Sequence, residues 1–375
     1  QANIRDQCSW VHAADPDAAK DLVDRATALS AIERRTIDAF LCIYWAAMGN
    51  PAAAREVTCR FDPDQLPGHP QRHLTMWAVT VACGEAGSTG EAADTAQSAY
   101  PISIRAFVAV VDPHINALLL AGRTADAQDV AQAMRGRATA PGGTPFGQIA
   151  LAATGQAALG AGCLEQACSC LASALDRVTP WNTATGFSYR YRILLTTALA
   201  MRGLTEEALA GRADIEADRH PSWRYLDYAH AIADAWVLGS QGALREAIAT
   251  VRAAAGHAGA HGQFAAEVMC LQTATQFGDA STARRLTELA AIVEGPRVAV
   301  AADFAVSLQS GNADEIETAS GRFESIGDLV GAVDSAAHAS ICFRRKNLRG
   351  SALRCSARAQ ALAKRCGGAR TPALR

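Results

Sequence analysis

The chain has 375 residues, of which half are hydrophobic and 19% charged, and its formal net charge is −2. That balance can bury a core and excludes wholesale disorder. Alanine dominates while Val, Ile, Phe and Tyr are sparse, which favours helix over strand.

Arginine far outnumbers lysine, which occurs only at Lys20, Lys346 and Lys364. Together with the alanine excess, this reads as the mark of a GC-rich genome, with an actinobacterial source as the expectation. The eleven cysteines form no framework of spacings, and no secretory signal opens the chain. The longest apolar run, residues 39–49, is too short to span a bilayer. These features predict a cytoplasmic protein with reduced, buried thiols and no membrane contact. A chain opening on Gln1 rather than Met is expected of a piece of a longer protein.

Glycines recur at the ends of apolar helical runs: Gly49, Gly87, Gly122, Gly162, Gly203, Gly242, Gly278 and Gly311. Successive gaps are 38, 35, 40, 41, 39, 36 and 33 residues. Five residues after each of the first seven stands an alanine: Ala54, Ala92, Ala127, Ala167, Ala208, Ala247 and Ala283; Ile316 follows the last. Glycine closes a helix in a left-handed conformation that other residues resist. The next helix must then fold back, and a small residue in its second turn lets the two backbones approach.

In chain order the periodicity predicts helices near 16–28, 31–48, 52–60 and 71–86, then 90–99, 102–121, 124–138 and 146–160. Further helices are predicted near 164–177, 187–202, 205–218, 222–239, 243–256 and 263–277. The remainder fall near 280–293, 297–309, 313–325, 329–345 and 349–365. Pro113 falls inside 102–121 and is expected to kink or split that helix. The longest loops are 61–70 and 139–145. No stretch reads as a strand. In 162–180 the placement of Gly162, Ala167, Leu171, Ala174 and Pro180 resembles the tetratricopeptide pattern. The predicted fold is therefore all-α: a tetratricopeptide-like superhelical array of about nine helix pairs spanning 1–375. Neighbour-to-neighbour stacking predicts an elongated superhelix with a concave face.

Charge is unevenly spread. Ten of the 35 basic groups, and none of the 37 acids, follow Asp334. Residues 344–375 are read as a basic terminal helix and connector. Such a stretch can face nucleic acid or an acidic partner, or be a solvated helix face paired with acids on the preceding repeats.

Motifs for catalysis are missing. No glycine-rich turn is followed by Lys-Ser or Lys-Thr, and neither G-x-S-x-G nor H-E-x-x-H occurs. The pairs His69/His73 and His257/His261 have helical spacing, but a metal needs three or four convergent ligands. Cys168 and Cys170 point to different faces of one helix, so with Cys163 they read as packing. No enzyme activity, metal or cofactor is expected.

The most distinctive candidate surface lies in 181–236, where Trp181, Phe187 and Arg190 accompany a denser set. That set is Tyr189, Tyr191, Arg192, Trp223, Arg224, Tyr225 and Tyr228. In the tetratricopeptide register these runs fall on first helices, which line the concave face. Aromatics offer rigid contact area and arginine directional donors, so a small effector or a protein partner could be held there. The alternative is that they are bulky core residues between thinner, Ala-rich helices.

The closing stretch carries Gly311-Asn312-Ala313, Arg322-Phe323-Glu324 with Ile326-Gly327, an Ala-rich helix 332–339, and residues 366–374 reading CGGARTPAL. It resembles the end of the helical-repeat region in LuxR-type, MalT-like ATP-binding transcriptional regulators. In that family an ATPase module precedes the repeats and a helix-turn-helix domain follows them; the motifs of both are missing from this sequence. The resemblance implies a sensor array that binds an effector or partner, controls self-association and couples to transcription. DNA would be read only through a helix-turn-helix domain outside this chain. A general protein-interaction scaffold without a role in transcription is the competing reading.

Overall fold

A computed structural model of the chain describes residues 20, 21, 24, 31–60, 69–138, 146–176 and 186–375. The predicted helix at 16–28, loop residues 61–68 and 139–145, and Trp181 lie largely or wholly outside them. The described helices are α1 (Ala31–Ala47), α2 (Pro51–Thr58), α3 (His69–Ala86), α4 (Thr89–Ala99), α5 (Ile104–Ala121) and α6 (Thr124–Ala138). They continue as α7 (Gly147–Gly160), α8 (Leu164–Leu175), α9 (Phe187–Met201), α10 (Thr205–Ala217), α11 (Asp227–Ser240) and α12 (Leu244–Ala260). The chain then forms α13 (Phe264–Gln276), α14 (Ala283–Leu289), α15 (Pro296–Ser310), α16 (Ala313–Ser325), α17 (Leu329–Arg345) and α18 (Arg349–Arg365). Consecutive helices pair as α1/α2 through α17/α18, and the described residues contain no strand. The fold is an all-α, tetratricopeptide-like superhelical array.

The repeat has the physical basis its spacing implies. All eight glycines have positive φ, between +66° at Gly311 and +96° at Gly278. At Gly122 the chain reverses through paired bonds, from Gly122 N–H to the Leu119 carbonyl and from Arg123 N–H to the Leu118 carbonyl. The alanines five residues on are buried to 2% exposure or less, as is Ile316. A ninth unit follows the same rule with another residue: Asn347 has φ +61°, and Ala352 beyond it is buried. Asparagine tolerates the left-handed region better than most side chains.

Several local expectations change. Pro113 neither splits nor ends α5, which runs from Ile104 to Ala121 with the proline inside it. Packing of α5 against α3, α4, α6 and α7 holds the helix across the lost backbone bond. The 222–239 helix begins as a 3-10 turn at Arg224–Leu226 before α11. The 280–293 helix is a 3-10 turn, Ala280–Thr282, followed by α14, which stops at Leu289.

The larger difference is in the winding. The array does not extend as an open groove; its successive superhelical turns touch. The turn of the second pair meets the chain before α15, where Glu294 N–H donates to the Gly87 carbonyl at 2.9 Å. Thr124 Oγ1 donates to the Ile326 carbonyl at 2.6 Å across 202 residues of sequence. Leu164 N–H donates to the Cys366 carbonyl at 3.0 Å, and Arg370 N–H to that of Met201 at 2.9 Å. Glycine serves this seam twice over, because a Cβ at Gly122 would lie 3.0 Å from Arg297 N. The residues after α18 fold back along the seam: Thr371 is fully buried, and the Arg375 guanidinium donates to the Ser240 carbonyl at 2.7 Å.

No helix among the described residues is long and apolar enough to cross a membrane. The described cysteines are all free.

Candidate functional site

Winding the array tightly turns its inner surface into a half-open cavity of about 130 Å³. Its walls come from the first helices of successive pairs: Leu119 of α5, Leu159 of α7, Ile193 of α9, Trp236 of α11, Met269 of α13 and Val330 of α17. Two buried guanidinium groups also line it. Arg297 is 2% exposed. It pairs with Asp328 at 2.6 Å and donates to the Gln272 side-chain oxygen at 3.0 Å and to the Leu119 carbonyl at 2.9 Å. Asp328 in turn caps α17 by accepting from Gly331 N–H at 2.8 Å. One carboxylate thus starts a helix and neutralises a cation that begins the helix two before it.

The second guanidinium, Arg190, binds both carboxylate oxygens of Asp112 at 3.2 Å and donates to Asn116 Oδ1 at 3.3 Å. Tyr191 donates to Asp112 Oδ1 at 2.9 Å, and Asn116 donates to the Tyr228 hydroxyl at 3.1 Å. Burial raises the Tyr191 phenol well above its ordinary range, and the adjoining Asp112 charge adds to the rise. Tyr191 is thus a neutral donor at any working pH.

This network separates the cavity from an aromatic cleft of about 220 Å³. The cleft is walled by Trp77, Phe187, Tyr191, Trp223 and Tyr225, with Asp112 and Arg190 on the side of the cavity. Trp77 meets Trp223 edge-on at 5.2 Å between ring centroids and Tyr225 at 5.7 Å. The Trp223 indole Nε1 is buried and finds no hydrogen-bond partner among the described residues. Behind the cleft, Glu85 is buried and accepts from Gln263 Nε2 at 2.7 Å. Burial pushes Glu85 up to about 8; the Gln263 bond and the Arg190 charge offset this only in part.

The structure distributes the sequence candidates over several environments. Tyr191, Trp223 and Tyr225 line the cleft and Tyr228 the cavity. Tyr189 is buried in a hydrophobic cluster with Trp77 and Ile215, its hydroxyl 3.4 Å from His230 Nδ1. Arg192 leaves the inner surface to pair with Asp214 at 2.8 Å and Asp218 at 2.6 Å. Arg224 pairs with Asp227 at 2.7 Å beside a shallow polar depression that includes His230 and His257. Four of the seven are buried: Tyr189, Tyr191, Tyr225 and Tyr228. Of these, Tyr228 bounds the cavity and Tyr191 and Tyr225 the cleft, while Tyr189 only packs the core.

Sequence reading singled out Arg192 where Arg190 is the arginine that faces inward. Helical phase carries the signal: Arg190 aligns with Ile193, Leu194, Thr197 and Met201 on one stripe, and Arg192 lies off it. Trp77, Asp112, Arg297 and Asp328 were missed because they arrive from other pairs. The charges of Asp112 and Arg297 within apolar runs (VAVVDPHIN and PRVAVAADF) were the available hint. No group of three or more His, Cys, Asp or Glu side chains able to hold a metal occurs among the described residues. The rings of His257 and His261 lie tilted against each other, with centroids 4.2 Å apart.

No protein-family model matches the chain, and no curated protein matches it. Among solved structures, the fold is similar to that of a Rap protein crystallised with competence and sporulation factor. The TM-score is 0.61 and the identity 12%, covering 90% of this chain and 100% of that one. That likeness is one of fold.

Proposed function

We propose that the chain is a regulatory helical-repeat module that binds an effector or protein segment in the inner cavity and adjoining aromatic cleft. The observation that carries this reading is the composition of the walls. One cavity gathers side chains from α5 through α17, and Arg297 ties its wall to both superhelical turns. A ligand seated there touches groups whose bonds close the seam, so its binding energy acts on the winding of the whole array. Apolar walls with a few fixed polar groups suit such a ligand. The Rap protein of similar fold was crystallised with a bound factor, which agrees with this use of the architecture. The resemblance of 305–375 to LuxR-type, MalT-like regulators supports the finer reading, that the array couples binding to transcription through other domains. We place the chain in the cytoplasm on that reading.

The test is to fill the cavity. Small molecules and short peptides are screened for raised thermal stability of the full chain, and hits are titrated calorimetrically against wild type and Ile193→Trp. The reading expects hits whose binding is lost in a variant with unchanged helical circular dichroism. Hits that bind the variant undiminished would count against the cavity as the site.

A further inference from the structure

The outward face of α18 is exposed and carries no acid. Ion pairs join second helices at two junctions, α2/α4 and α16/α18, between positions about one repeat apart. Arg55 of α2 meets Glu91 of α4 at 2.8 Å. Arg354 of α18 meets Glu317 of α16 at 2.8 Å, and Arg358 meets Glu324 at 2.5 Å. One repeat further on, counted from Gly311 to Asn347, the positions of Glu317 and Glu324 become Leu353 and Gln360. The counterpart of Glu317 is thus a leucine that is 72% exposed, and α18 carries no acid to receive an arginine.

Beside this face the turn between α17 and α18 carries Arg344, Arg345, Lys346 and Arg349, all exposed. None makes an ion pair among the described residues. Leu348, within the turn, is 50% exposed. No acid follows Asp334 in the sequence, and Asp334 is itself buried. The patch is thus cationic without internal compensation, with two exposed leucines among the charges.

We infer that this face docks an acidic, amphipathic helix of a partner protein. Charge complementarity selects that occupant. A second copy of the same face would set these cations against their like, which is repulsive. A further repeat built like α18 would bring arginines to a surface without acids. A duplex would engage the cations but leave Leu348 and Leu353 in water. An acidic helix with an apolar stripe covers the leucines and neutralises the cations in the same contact.

The experiment is a selection. A displayed library of helical peptides is selected on the full chain, and enriched helices are titrated against wild type, Leu353→Ser and Arg344→Glu/Lys346→Glu. Circular dichroism melts verify that the variants keep the fold, as expected for exposed positions. The inference expects enriched helices with acids flanking apolar positions, salt-sensitive binding, and a loss of about tenfold or more in each variant. It is overturned by no enrichment, by helices without acids, or by binding that both variants retain. It is also overturned if a random-sequence DNA duplex or phosphatidylserine vesicles bind more tightly than any selected helix and lose binding in the double charge variant.

Discussion

Arg297 and Asp328 meet at 2.6 Å in the interior, and the carbonyl that completes the guanidinium's contacts, Leu119, belongs to the preceding superhelical turn. A single buried cation thus holds together α5, α13 and the start of α17.

Removing it should be costly. Arg297→Met leaves Asp328 buried without its counter-charge, and such losses amount to about 3–5 kcal/mol. Urea unfolding followed by circular dichroism should show the midpoint falling accordingly. A cost under about 1 kcal/mol, as at an exposed pair, would contradict the described burial.

The two arginines of α9 should behave oppositely. Arg190→Met strands Asp112 beneath the cleft and should cost several times more stability than Arg192→Ala. The latter loses half-exposed pairs worth about 0–1 kcal/mol. Tyr191→Phe should fall between them, at about 1–3 kcal/mol for a buried carboxylate losing one donor. The order of the three thermal midpoints is the measurement.

Glycine substitutions separate backbone strain from seam closure. Gly311→Ala meets open space, so it should cost only the left-handed backbone penalty of about 1–2 kcal/mol. Gly122→Ala carries the same penalty and also sets its Cβ 2.9 Å from that of Arg297. It should destabilise more and enlarge the radius of gyration in small-angle scattering, whereas Gly311→Ala should leave that radius unchanged.

Stability should fall as pH rises toward 8. Burial pushes Asp334 from 3.8 up to about 8, although the Thr371 hydroxyl and the Gln276 carboxamide favour its ionised form. Glu85 rises from 4.5 to about 8 in the same way. Between the unfolded and folded values the native chain holds more protons, so each rise in pH favours unfolding. His114 acts in the opposite sense: burial lowers it from 6.5 to about 4, so its contribution is lost as pH falls below 6.5. The window from 6.5 to 8 therefore isolates the carboxyls. Asp334→Asn should flatten the fall in melting temperature across it and be the more stable form at its upper end. An unchanged slope would show that Asp334 ionises freely.

Much of the architecture is legible from one stereochemical rule. A left-handed residue must end each first helix, and glycine is the cheapest way to supply it, so Gly49 through Gly311 mark eight turns in the sequence. The ninth went unmarked because Asn347 occupies the same conformation with a side chain that gives no comparable signal. The winding was not legible. It accumulates from small rotations per pair, and the contacts that reveal it, such as Thr124 with the Ile326 carbonyl, join residues with no shared pattern. The candidate site shows the same division. The aromatic runs pointed to α9 and α11, whereas Trp77 and Arg297 enter from helices that only the winding brings near.

The folded-back residues after α18 give the molecule a mechanical polarity. Turns already in contact resist compression, as in a fully closed spring, and respond only to extension. The Leu164–Cys366 and Met201–Arg370 bonds are the last links of the coil. A pull on Arg375 loads its bond to the Ser240 carbonyl first and then these two links. Tension applied there would unzip the coil from that end, and a ligand bridging the inner wall would set the force required.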